Sequence, residues 1–317
     1  MARGKQIAAL GACLAAFALW LAALPGRSQA RSQGAIITGN PAPSPAEIHS
    51  LIVRAVENQH RDEYALEEFE RTEHIVTRKG ENAEIITDLT ERILPTPTGN
   101  FKLKLSENGT PVPVDLYRQE LGLAVTALGL TAHPTDRYSE DQAKFERRRR
   151  EHAELVNSSL NAFLITWAGR ETRADSSGTH GPRTLVKLLL DPAPDFKPAT
   201  RFATSFQHAH ATLWVDESEA QFARLEGEIT TDITFGGGIA AKIYHGGHVL
   251  MVQEEVEPGL WLPTQFDYEV DGRKFVFSFG VHERTDISRY RRIGPPAKAL
   301  EIIRNELNTL SAAVPSQ

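Results

Sequence analysis

Cysteine is all but missing. Cys13 is the single one among 317 residues, and it stands inside an N-terminal apolar run, Ile7 to Leu24, of about 18 residues. If that run is removed, the remaining chain can form no disulfide and offers no thiol nucleophile. Leu10-Gly11-Ala12-Cys13 has the form of a lipidation box, but such a box follows an apolar run and does not sit within it. An excess of basic charge is also lacking. The formal net charge is −6, which argues against nucleic acid as a partner, because phosphate binding needs net basic surface. No Gly-x-Ser-x-Gly elbow is present to support the Ser176-Ser177-Gly178 loop and His180 as a nucleophile and base. Phe235-Gly-Gly-Gly238 lacks the lysine and the strand-to-helix setting of a phosphate loop, so its glycines read as a bend or bulge in a sheet. There is no internal repeat.

The N-terminus carries a secretory pattern. Arg3 and Lys5 precede the apolar run, and Pro25-Gly26 leads to Ser28 and Ala30 at the spacing a signal peptidase reads. Cleavage is expected after Ala30, making 1–30 a signal peptide; the alternative is a membrane anchor formed by residues 7–24. Loss of Arg3, Lys5 and Arg27 takes the net charge from −6 to −9. Export without disulfides suits a bacterial periplasm. The dense basic run Lys144 to Arg150 could make peripheral contact with anionic lipid, against the plainer reading of a solvated helix face.

Residues 31–43 are polar and proline-containing and read as a disordered lead-in. Ser44, Pro45 and Glu47 form a capping box for a helix with Ile48, Leu51, Ile52, Ala55 and Val56 along one face. Strands follow at Phe69–Thr77, Glu84–Leu94 and Phe101–Leu105, with turns at Gly80, Pro95–Gly99 and Asn108-Gly109. A short helix is expected around Leu116–Leu123. A long one follows from Ser139 to Trp167, with Phe145, Arg149, His152, Val156, Leu160, Phe163 and Trp167 at helical steps. The chain then returns to strands, at Leu185–Leu190, Phe202–Val215, Phe222–Ile233, His248–Glu255, Trp261–Val270 and Lys274–Ile287. Pro295-Pro296 opens a last helix striped by Leu300, Ile303, Leu307 and Leu310. Successive hairpins imply an antiparallel sheet. The organisation expected is one domain over 44–310, with the 139–167 helix inserted and a 311–317 tail.

Gln265 to Val281 reads QFDYEVDGRKFVFSFGV. Asp271-Gly272 is a pair suited to a two-residue hairpin turn. A turn there places Tyr268 against Phe275, Phe266 against Phe277, Thr264 against Phe279 and Leu262 against Val281, all on one face. Glu269 with Lys274, Asp267 with Val276 and Gln265 with Ser278 occupy the other. Four aromatic side chains bury about 150–250 Å² each. At about 25 cal/mol per Å², leaving them in water costs on the order of 15 kcal/mol, more than the net stability of a typical domain. Something must therefore cover that face, either the chain's own helices or a greasy ligand.

From about Thr200 to Gly294 the order of motifs resembles bacterial envelope proteins of the outer-membrane lipoprotein carrier (LolA-like) type. The motifs are Ala211–Asp216, Phe222–Ile229, Phe235–Gly238, His245–Val249, Val252–Val256, Pro258–Pro263 and Glu283–Arg292. The resemblance implies an α+β fold: a curved antiparallel β-sheet, a half-barrel, with helices packed on its concave side. It also implies a non-enzymatic periplasmic role in which the cavity takes a lipid or an acylated protein. The expected lining is Leu225, Ile229, Ile233, Leu262, Phe266, Tyr268, Phe275, Phe277 and Phe279, with no cofactor. The alternative is a structural or interaction module of the envelope whose cavity is plugged by its own helices. A remote alternative is a metal-dependent enzyme using His208 and His210, which would lie about 7 Å apart on one strand face but lack a third ligand.

Overall fold

The structure is a computed structural model that describes residues 41–79, 84–130, 135–174, 181–200, 203–235, 240–275 and 277–312. The apolar N-terminal run, the Phe235–Gly238 glycines and the Ser176–His180 loop lie wholly or mostly outside these residues. The architecture is α+β: an open antiparallel sheet of thirteen strands, with helices. It divides into two compact units. The first holds the described residues of Met1–His60, Lys79–Glu84 and His152–Arg284, the second those of Arg61–Arg78, Ile85–Glu151 and Thr285–Gln317.

Helix α1, Pro45–Leu66, opens in the first unit on the expected capping box. The Ser44 backbone N–H donates to Glu47 Oε2 at 2.7 Å, and Glu47 N–H donates to Ser44 Oγ at 3.3 Å. These bonds satisfy amides that the first helical turn leaves without partners. They also hold the Glu47 carboxyl below its usual pKa. Ile48, Leu51, Ile52, Ala55 and Val56 are buried. They pack with Leu155 and Val156 against strand residues Val186, Leu188, Leu190, Leu213 and Val215.

Within this unit the strands run in the order β13-β12-β11-β8-β7-β6-β5. They are β5 Phe163–Arg173, β6 Arg183–Pro192, β7 Ala209–Asp216, β8 Phe222–Ile229, β11 His248–Glu257, β12 Leu260–Lys274 and the first part of β13 Phe277–Arg292. Short strands β9 Ile233–Phe235 and β10 Ala241–Ile243 pair with each other, and β10 also pairs with the end of β12. On the side away from α1, Leu185, Trp214, Ala223 and Trp261 form a small cluster. Lys187 and Arg224 lie over the Trp214 ring at 5.0 and 5.3 Å, and Arg183 over Trp261 at 4.9 Å.

In the second unit the order is β4-β3-β2-β1-β13. Its strands are β1 Phe69–Lys79, β2 Glu84–Thr96, β3 Gly99–Glu107, β4 Thr110–Pro111 and the rest of β13. The turn between β3 and β4 falls at Asn108-Gly109, both at positive φ. Helix α2, Val114–Gly129, is twice the length expected, and packs with α4, Pro296–Ala312, over Leu94 and Leu103. Leu121, Ala124, Leu128, Ile293, Ala299 and Ile303 complete that core.

The long helix differs from its expected span. Helix α3 runs Asp136–Ala162, and Phe163 begins β5. Thr135, not Ser139, caps it, with its Oγ1 accepting from Tyr138 N–H at 3.2 Å. Phe163, Ile165 and Trp167 pair with Pro192, Leu190 and Leu188. A step of four residues fits both a helical stripe and every second pair of strand positions, so Phe163 and Trp167 kept their burial while the backbone changed. In the basic run, Lys144 pairs with Asp141 and Arg147 with Glu151 on the same helix, as a solvated face does.

The hairpin also differs. β12 continues through Asp271-Gly272 to Lys274, and the chain turns at Phe275, which has φ 54. Ile243, Lys242 and Ala241 of β10 pair with Gly272, Arg273 and Lys274. Gly272 is needed for close approach and not for a turn: a Cβ there would run into Lys242 O and the Phe279 ring. A Cβ on Gly280 would run into the Asp271 carboxylate. Tyr268 against Phe275 and Phe266 against Phe277 are therefore not partners. Gly272 lies against Phe279 and Asp271 against Gly280, a displacement from the expected pairing by an even number of residues, which leaves the alternation of faces intact.

Candidate apolar binding site

One row of neighbours crosses five strands of the first unit. Leu188 pairs with Leu213, Leu213 with Leu225, Leu225 with Met251, and Met251 with Phe266. One step along, Gly227, Val249 and Tyr268 form a second row on the same face. The Leu188 end, with Leu225 at its margin, lies in the core that α1 and α3 cover.

The other end is built differently. Ile229, Ile233, Ile243, Val249, Tyr268 and Val270 are buried together, with Phe235, Met251, Phe266, Phe279 and Val281 partly buried at the rim. Every one of these residues lies on a strand, so no helix residue belongs to this cluster among the described residues. Tyr268 is its one titratable group. Burial raises its pKa, and the Glu283 carboxylate beside its hydroxyl raises it further. The cluster is thus apolar apart from the Tyr268 hydroxyl, which hydrogen-bonds the Glu283 carboxylate.

The expected lining residues fall into three groups. Ile229, Ile233 and Tyr268 are in this cluster, and Phe266 and Phe279 are on its rim. Leu225 belongs to the helix-covered core, and Leu262 is buried outside both clusters. Phe275 and Phe277 are 56% and 75% exposed. Sequence reasoning missed Met251, Val249 and Ile243. The signal for the first two is the alternation Val249-x-Met251, which meets Tyr268 and Phe266 once β11 and β12 are in register.

The opposite face is polar. His248 lies 3.6 Å from Glu269, His282 lies 3.1 Å from Asp267, and the two rings are 6.4 Å apart. Burial holds the His248 pKa below its usual value, against the pull of Glu269, Asp267 and Glu228. Nearby, Lys242 and His245 hold the Asp232 carboxyl well below the ordinary range.

His208 and His210 do not share a strand face. His208 ends a short 3-10 helix, Ala203–His208, and its Nδ1 meets Thr231 Oγ1 at 2.7 Å. His210 lies on β7 with Nδ1 at 2.5 Å from Asp191. Among the described residues no group of three or more His, Cys, Asp or Glu side chains is placed to hold a metal ion.

No family model matches the chain, and no curated protein does. Three solved structures are similar to it. One is a domain described as an outer-membrane lipoprotein-sorting protein, from Vibrio parahaemolyticus, at 9% identity and TM-score 0.29, with 81% of this chain and 99% of that one covered. A second is a DUF1329 family protein from Desulfovibrio piger, at 9% identity and TM-score 0.26, covering 76% and 92%. The third is a LolA superfamily protein from Nitrosomonas europaea, at 12% identity and TM-score 0.25, covering 79% and 96%. At TM-scores of this size the site rests on the registers and burial above.

Proposed function

We propose that the chain is a non-enzymatic, exported envelope protein that binds an acyl chain or an acylated protein on the apolar face of its first unit. One observation carries this reading. The apolar row from Leu188 to Phe266 has helices over one end, while Met251, Phe266, Phe279 and Val281 at the other are left half-buried in an all-strand cluster. A contiguous apolar patch left partly uncovered is a mark of a binding surface. The leader pattern supports export to the periplasm, and no described helix is long and apolar enough to cross a membrane.

The test is native purification, organic extraction and mass spectrometry, with titration of a fluorescent fatty acid. Phe266→Ala should weaken probe binding about tenfold, the equivalent of one partly buried ring. The second reading, a self-plugged interaction module, is favoured by the helix cover over Val186, Leu188 and Leu213. An absence of co-purified lipid together with no probe binding would select it.

A further inference from the structure

The β12–β13 turn is apolar where it is most exposed. Phe275 and Phe277, 56% and 75% exposed, stand there with neither ring in any buried cluster. Phe275 is also held in place. Phe275 N–H donates to Ala240 O at 3.0 Å, and its φ of 54 is uncommon for a residue of its bulk. Exposed rings on paired strands differ from rings on a fraying end: β10 pairs with β12 up to Lys274, just before Phe275, and Phe277 opens β13, which neighbours β12 in the sheet.

The segment that carries the rings is basic. Between Gly272 and His282 the chain holds Arg273 and Lys274 and no carboxylate. β10 brings Lys242 opposite Arg273. Lys242 also lies 5.5 Å from the Tyr244 ring centroid and pairs with Asp232 at 2.6 Å. Asp271 is four residues behind Phe275, about 13 Å back along the strand. Protruding aromatic rings with cations just behind them match the interfacial zone of a bilayer, where rings enter the headgroup–acyl boundary and cations meet anionic headgroups. The chain as a whole is acidic, at −6, so this basic end runs against its overall charge.

We propose that the β12–β13 turn docks on an anionic lipid bilayer, with Phe275 and Phe277 inserting and Lys274 and Arg273 facing the headgroups. This surface is distinct from the half-buried rim proposed to bind an acyl chain, and either can operate without the other.

The test reports from the turn itself, because the apolar N-terminal run of the full chain can also partition into lipid. Ser278→Cys, in a Cys13→Ala background, is labelled with an environment-sensitive dye and titrated with phosphatidylglycerol–phosphatidylcholine or pure phosphatidylcholine vesicles. A blue shift with the anionic vesicles is expected. Lys274→Gln should weaken that response about fivefold in anionic vesicles and leave neutral vesicles unaffected. Phe277→Ser should weaken it about tenfold or more. The far-ultraviolet circular dichroism of both variants should be unchanged, which shows that they fold, and fatty-acid probe binding without vesicles reports on the acyl-binding reading separately. A dye that does not respond to anionic vesicles, or that responds equally to neutral ones, would overturn the proposal. A response that persists in Phe275→Ser/Phe277→Ser would do the same.

Discussion

Arg92 shows how much a single side chain can organise. Its guanidinium donates to Glu70 Oε2 at 2.6 Å, to Glu306 Oε2 at 2.7 Å and to the Tyr117 hydroxyl at 2.9 Å. Burial alone would lower the Arg92 pKa, and Glu306 and Glu70 outweigh it and raise it instead. Arg291 contacts Glu70 from β13 at 2.5 Å. One cation thus joins β1, β2, α2 and α4. Arg92→Ala would leave Glu306 and Tyr117 without their shared donor, and should cost about 3 kcal/mol in urea-unfolding stability. Arg92→Lys should recover little of it, because a single ammonium nitrogen cannot reach the separated acceptors that Nε, Nη1 and Nη2 of Arg92 meet. His248 makes a residue-scale prediction about pH. Its pKa is lower folded than unfolded, so the unfolded chain binds the proton more readily. The stability linked to this group is complete above about 6.5, the ordinary histidine value, and declines as pH falls below it. The urea midpoint should fall on acidification from neutrality, and His248→Gln should flatten that dependence.

Among elements, the β12–β13 hairpin is the most informative. Phe275, exposed and left-handed, occupies a conformation that costs a non-glycine residue about 1–2 kcal/mol. Phe275→Gly should therefore raise stability by up to about 1 kcal/mol in thermal or urea unfolding. With a turn at Asp271-Gly272 the same change would fall inside a strand and lower stability by about 0.5–1 kcal/mol, so its sign reports where the chain reverses. The failure of the local turn signal has a physical cause. β10 offers Gly272 and Lys274 ladder partners, and the Phe279 ring needs the space over Gly272; neither is visible within a short window. The capping box at Ser44 was legible because its partners lie three residues apart. The end of α3 was not, because Phe163 and Trp167 satisfy helical and strand burial alike. The separation of His208 from His210 depends on a 3-10 turn that propensity does not signal. In the candidate site, alternation identified the face of Phe266 and Tyr268. That helices would cover Leu225 while leaving Met251 half-buried is a tertiary fact with no local trace.

At the scale of the whole molecule, the leader pattern predicts a mature protein that begins at Arg31. N-terminal sequencing of the chain recovered from a periplasmic extract should read Arg-Ser-Gln-Gly, and a membrane-bound chain retaining residues 7–24 would contradict cleavage. Tryptophan placement adds a practical consequence. Of the four tryptophans in the sequence, Trp20 belongs to the predicted leader. Trp167, Trp214 and Trp261 all fall in the first unit. The second unit contains none, so indole emission from the processed protein is blind to it. An unfolding curve followed by fluorescence tracks the unit that carries the apolar rim, and one followed by far-ultraviolet circular dichroism averages both. Any separation between the two curves would be a direct optical measure of how independently the halves melt.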